Sequence, residues 1–197
     1  IDFFYNEVEK LNNDNILNIV DIGAQSGAFS LMSQFFPNTI WYCFEPDPLN
    51  FSLLSENILL NNITNAKLFS EALSDKVGEC EFNICKNHRG LNTLGKKLKR
   101  FTKEESIMIN VKLNTLDNIF EENKVDLIKI DTEGAEYSIL QGAKSLLKKS
   151  SPKILLEYSN DNLSQFNLSI HDLNNLIEDL NYKISWIKNE NIFIEPV

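Results

Sequence analysis

The sequence predicts an open, doubly wound α/β sheet, and three observations carry that prediction. Short apolar runs of strand type alternate with segments of helical spacing through most of the 197 residues. A strand at residues 18–22 breaks at Gly23 into the turn Gly23-Ala24-Gln25-Ser26-Gly27, which opens a helical stretch. A second strand then ends in an acidic residue, Glu45, at the start of another helix.

Composition narrows the class of function. The chain is of single-domain size, and residues 1–197 are read as one domain with 43% hydrophobic residues. A net charge of −9 argues against nucleic-acid binding, because nothing would neutralise a phosphate backbone. No apolar run reaches membrane-spanning length and no signal peptide is visible. Cys43, Cys80 and Cys85 form no CxxC pair, which fits a reducing compartment, and the chain is expected to be cytoplasmic. Nothing in the sequence fixes the oligomeric state.

In order, Phe3, Phe4, Val8 and Leu11 predict an N-terminal helix within residues 1–15, placed over the front of the cleft. Ile19, Val20 and Ile22 make the first strand, and Phe29, Met32 and Phe36 give residues 28–36 a helical period closed by Pro37. After strand 40–44, Asp47 caps a helix whose first residue is Pro48, with Leu54 and Ile58 inward. A third strand at 66–70 leads to Glu71, Ala72 and Leu73.

Residues 78–113 then read as a β insertion. Cys80, Phe82 and Ile84 alternate with polar residues, as in a half-exposed strand, and residues 108–113 resume one. Between them lies a polar, basic loop with His88, Arg89, Lys96, Lys97, Lys99, Arg100 and Lys103, expected to act as a mobile lid. Its positive charge suggests an anionic partner, with a solvated loop as the plainer alternative. Beyond it come a short helix at 116–122 capped by Thr115, a strand at 125–130 and a helix carrying Ile139, Leu140, Ala143, Leu146 and Leu147. A strand at 152–158, a helix at 171–180 and an antiparallel pair at 182–187 and 192–194 complete the chain.

Two stretches carry chemistry. Glu45 follows the glycine turn by about twenty residues, the spacing at which an acidic side chain holds ribose hydroxyls. A dinucleotide turn needs a middle glycine so that backbone can touch pyrophosphate; here Gln25 stands in that place. S-Adenosylmethionine, which has an amino-acid tail and no phosphates, fits better. Asp21, Gly23, Ala24, Gln25, Gly27, Glu45 and Pro46, with Glu71, Ala72 and Leu73 near the base, are the candidate cofactor residues. The second stretch is 126–136, where Lys129 lies in an apolar strand and needs a carboxylate partner. Asp131, on the same side, and Glu157, on the next strand, are candidates. The fourth parallel strand should adjoin the first, which brings Asp131 and Glu133 to the cofactor. Metal binding by Asp131, Glu133 and Glu157 ranks below this reading because nothing in the sequence fixes its geometry.

The runs VDLIKIDTEGAEYSILQGAKSLL and PKILLEY resemble the signature of the FkbM family of S-adenosylmethionine-dependent methyltransferases. DIGAQSGAFS is similar to that family's cofactor turn and WYCFEP to its ribose-binding strand end; SEALSD, NTLD and HRGLNTL follow in register. Gln25, usually Asn in the family, and Ala28, usually larger, depart from the pattern. The resemblance implies a class I methyltransferase fold, a mostly parallel seven-stranded sheet with an antiparallel last strand, and methyl transfer to a hydroxyl of a sugar, glycan or related small molecule. Asp131 is then the first choice to orient or deprotonate the acceptor, with Glu133 assisting, Lys129 beside them and His88 an alternative base. The competing readings are a domain that binds cofactor or glycan without turnover, and a nucleotide-dependent oxidoreductase.

Overall fold

A computed structural model describes residues 1–12, 15–86, 88–95 and 106–197. Most of the expected basic lid, including Lys96, Lys97, Lys99, Arg100 and Lys103, lies outside the described residues. In chain order the strands are β1 (Leu17–Ile22), β2 (Thr39–Phe44), β3 (Ala66–Phe69), β4 (Ala72–Leu73), β5 (Gly78–Cys85), β6 (Ser106–Asn114), β7 (Leu127–Ile130), β8 (Lys153–Glu157), β9 (Tyr182–Lys188) and β10 (Asn191–Pro196). The helices are α1 (Asp2–Leu11), α2 (Pro48–Leu60), α3 (Leu116–Ile119), α4 (Glu136–Gln141), α5 (Lys144–Ser150), α6 (Asn160–Ser164) and α7 (Ile170–Asp179).

Seven strands form one sheet in the order β3-β2-β1-β7-β8-β10-β9. Pairing is parallel from β3 to β8, and β10, the last strand of the chain, runs antiparallel between β8 and β9. The central strands are apolar on both faces because each face is covered. Val20, Ile22, Ile128 and Ile130 face one cluster with α4 and α7, while Ile19, Trp41 and Leu127 face another that includes Phe4 and Val8 of α1. Cys43 is a buried member of that second cluster. A second sheet, β4-β6-β5, is the expected insertion: an antiparallel β5–β6 hairpin with β4 added in parallel.

Several boundaries differ from expectation. Residues 30–35 form a 3₁₀ helix, not an α-helix over 28–36. The preceding turn persists because its polar groups bond elsewhere: Asn57 Nδ2 donates to the Ser26 carbonyl at 2.8 Å and Ser30 Oγ to Asp21 at 2.6 Å. The helix expected through residue 147 breaks at Gly142 and restarts as α5, whose amides at Ser145 and Leu146 donate to Asp117. α3 is shorter than expected, and α6 had no sequence signal strong enough to mark it. α1 packs behind Phe29, ring to ring at 5.4 Å, and lines no part of the cleft it was expected to cover.

Candidate active site

The chain moves outward from β1 to β3 and returns beside β1 at β7, so the sheet has its switch point between those two strands. Ligands bind outside the carboxyl ends of strands at such a point. A cleft of about 190 Å³ opens there. Gly23, Ala24 and Gln25 enter it from the turn after β1, and Glu45 and Pro46 from the end of β2. Glu71, Ala72 and Leu73 form one wall, and Lys129, Asp131 and Glu133 come from β7 and its turn. Two candidate cofactor residues stand back from the cleft. Asp21 is fully buried beneath it, and Gly27 packs toward Leu54 of α2.

Four amides of the turn are already engaged. Those of Gly23 and Ala24 both donate to the Phe44 carbonyl at 3.0 Å, and that of Gly27 donates to Ala24 at 2.8 Å. Gln25, whose φ is 53°, donates its amide to Glu45 Oε2 at 2.9 Å. The Asp47 amide holds Glu45 Oε1 at 2.8 Å. Glu45 is thus fixed by backbone donors at both oxygens, and each oxygen retains a lone pair for a hydroxyl. Burial pushes its carboxyl up to about 7, against the pull of those two amides.

Lys129 is 4% exposed and meets Asp21 Oδ1 at 3.2 Å, nearer than Asp131 Oδ2 at 3.9 Å. It also donates to the carbonyls of Gly23 at 2.8 Å and Ile22 at 3.2 Å. The expected contact with Asp131 is present, and Asp21 is the nearer partner, because paired β1 and β7 set Asp21 beside Lys129 in register. Burial opposes the ammonium, but Asp21, then Asp131, more than offset it, so Lys129 is held charged. Its structural work is to stitch the glycine turn to β7.

Glu157 takes a different set of partners. Its oxygens accept from the Glu133 amide at 3.1 Å and from Asn162 Nδ2 at 2.7 Å. Asn162 also donates to Glu133 Oε2 at 2.9 Å. Burial, followed by the charges of Glu136, Asp131 and Glu133, pushes Glu157 up to about 10. Glu136 is fully buried and likewise raised by burial, although Thr132 donates to it through both amide and hydroxyl. Oxygens of Asp131, Glu133 and Glu157 lie within 4.8 Å of one another. Asn162 Nδ2 bridges two members of this group, donating to both Glu133 and Glu157.

The insertion supplies residues that sequence reasoning missed. Arg89 Nη1 meets both Asp47 oxygens, at 3.0 and 2.7 Å, and Asn92 Nδ2 donates to Asp47 at 2.7 Å. Thr93 Oγ1 donates to the Glu133 carbonyl at 2.8 Å. Residues 89–93 therefore cross from the Glu45 side of the cleft to the Glu133 side. Arg89 and Asn92 both lie in HRGLNTL, but their shared partner Asp47 is more than forty positions away in the chain. His88 is exposed and stands outside the lining, while its neighbours Arg89 and Gly90 are part of it.

The chain is similar to known methyltransferases. The chain is 29% identical over 153 residues to methyltransferase sdnD of Sordaria araneosa, covering 63% of this chain and 59% of that protein. It is 28% identical over 173 residues to 2-O-methyltransferase NoeI of Sinorhizobium fredii, covering 81% of this chain and 70% of that protein. The crystal structure of methyltransferase FkbM from Methylobacillus flagellatus superposes with a TM-score of 0.64 at 17% identity, over 91% of this chain and 43% of that one. The fold is that of the class I methyltransferases. Among the described residues no helix is long and apolar enough to cross a membrane. Residues 21–184 match the model of the methyltransferase FkbM domain, and the chain belongs to that family.

Proposed function

We propose that this chain is an S-adenosylmethionine-dependent methyltransferase domain acting on a hydroxyl of a sugar, glycan or related small molecule. One observation carries the reading: a single cleft joins a turn with four of its amides spent and a fixed carboxylate, Glu45, to the half-exposed carboxylate of Asp131. A turn with no amides to spare at Gly23, Ala24, Gln25 and Gly27 is poorly suited to pyrophosphate, which disfavours a dinucleotide. Glu45 would receive the ribose hydroxyls and Ala72 and Leu73 the base. When bound, the cofactor supplies a methyl group on a sulfonium, already activated for in-line displacement by oxygen.

The chain's own work is then alignment, desolvation and proton acceptance. Asp131 would orient the acceptor hydroxyl and take its proton, and Glu133 would hold a neighbouring hydroxyl. The cations of the described lining, Lys129 and Arg89, are both paired with carboxylates. A neutral polyhydroxyl acceptor therefore suits the site better than the anionic one suggested by the basic loop. The name of the relative NoeI, a 2-O-methyltransferase, supports transfer to oxygen.

Calorimetric titration with S-adenosylhomocysteine and with NAD tests the cofactor, and Glu45→Ala should lose about 1.5–3 kcal/mol of affinity for the former while staying folded. Mass spectrometry of hydroxylated sugars incubated with S-adenosylmethionine should show the gain of one methyl. Preference for NAD, or unchanged affinity in Glu45→Ala, would refute the proposal.

A further inference from the structure

Asp47 is fully buried, yet its carboxylate does more than cap α2 through the Leu49 amide at 2.9 Å. The Arg89 guanidinium spans both of its oxygens and Asn92 adds a third side-chain hydrogen bond. One covalent step away, the Asp47 amide holds Glu45 Oε1. A buried carboxylate stripped of its cation is strongly unfavourable, and the backbone bearing it shifts to find water.

We propose that Arg89 is a positioning residue for the cofactor half of the cleft: by meeting the Asp47 charge it holds the 45–47 backbone, and through it the Glu45 carboxylate, where two ribose hydroxyls can be received. The inference rests on the reading of Glu45 as the ribose acceptor. Arg89 is suited to the task because its charge is permanent and its Nη1 lies within hydrogen-bond distance of both Asp47 oxygens.

The same contact bears on the charge of Glu45. The groups facing it are Asp47 from the loop after β2, Lys129 from β7 and Arg89 from the insertion, with Glu71 and Asp131 in the same cleft. Asp47 favours the protonated form of Glu45 and Lys129 the ionised form. Without Arg89 the field of Asp47 is uncompensated, so Glu45 would take its proton at a higher pH. A protonated Glu45 has one acceptor fewer, and cofactor affinity falls as pH drops through that point.

The test is titration of S-adenosylhomocysteine from about pH 6 to about pH 9, with thermal unfolding of every variant. Wild-type affinity should decline below about pH 7, and Glu45→Gln should abolish that decline. Arg89→Met should bind about tenfold more weakly near neutrality, with its midpoint moved to higher pH. Arg89→Lys should restore the midpoint, and so should Asp47→Asn added to Arg89→Met, since Asn still caps α2. Arg89→Gln, which keeps an amide donor without the charge, should read the same upward shift if Arg89→Met does not fold. A folded Arg89→Met or Arg89→Gln with wild-type affinity and midpoint overturns the role of Arg89. A wild-type protein that ignores S-adenosylhomocysteine, or a pH dependence that survives Glu45→Gln, instead overturns the assignment of Glu45 on which it rests.

Discussion

Two groups of buried charge flank β7, and they are stabilised in opposite ways. On the β1 side, Asp21 is fully buried and meets a cation, Lys129, which also caps the carbonyls of the turn. On the β8 side, Glu157 and Glu136 are met by amides, a hydroxyl and a retained proton. The first arrangement keeps its charges and acts as a rivet. The second gives up charge to remain buried, which leaves a cluster of oxygens able to exchange hydrogen bonds with a hydroxyl. Ion pairing thus holds the β1 side of the strand tips, and hydrogen bonding of carboxyls raised by burial holds the β8 side.

The largest effect should come from breaking the rivet. Lys129→Met leaves Asp21 buried without its cation and should cost about 3–5 kcal/mol in denaturant unfolding. The double variant Lys129→Met with Asp21→Asn should recover much of that loss, and a single variant as stable as wild type would end the distinction between the two groups. Asp131 lies between them, close to Lys129 yet part of the acid cluster. Asp131→Asn should leave the fold and most cofactor affinity intact while lowering methyl transfer at least about a hundredfold. Near-normal turnover would shift proton acceptance to His88 or leave alignment as the whole mechanism.

The smallest effect, taken per unit of pH, sharpens the other side. Glu157 rises from 4.5 unfolded to about 10 folded, so between those values the native state holds a proton that the unfolded chain releases. Its contribution is fully present below about pH 4.5 and is lost as pH rises through about 10. Stability should therefore fall with rising pH, by up to about 1.4 kcal/mol per unit from this one proton, and Glu157→Gln should flatten the slope. An unchanged slope in urea titrations at several pH values would remove the proton from Glu157.

Much of this arrangement was legible in the sequence. Strand alternation and the turn at Gly23 gave the sheet and its switch point, since apolar period and glycine are local signals. Glu45, Asp131 and Glu133 could be placed at the cleft from their positions at strand ends alone. Asp131, near in sequence, is a legible partner of Lys129, whereas the nearer partner, Asp21, is beside it only through β1–β7 register. Asn162 was missed for a similar reason. It sits on a five-residue helix too short to show a period, and its role depends on Glu133 and Glu157 arriving from elsewhere. The Arg89–Asp47 contact likewise spans forty-two positions, beyond any local pattern.

Both ends of the turn that carries Asp131 press on neighbouring main chain. A Cβ on Gly23 would lie 1.9 Å from the Asp131 carbonyl oxygen, and one on Gly134 would lie 2.4 Å from that of Asn162. Positive φ at both glycines, 72° and 112°, bars other residues further. The Asp131 main chain is thus set against the glycine turn by close backbone approach, with Lys129 bonded across the same junction. The separation of the glycine turn from Asp131 is therefore set by one absent methyl group at Gly23, and that of the following turn from α6 by another at Gly134.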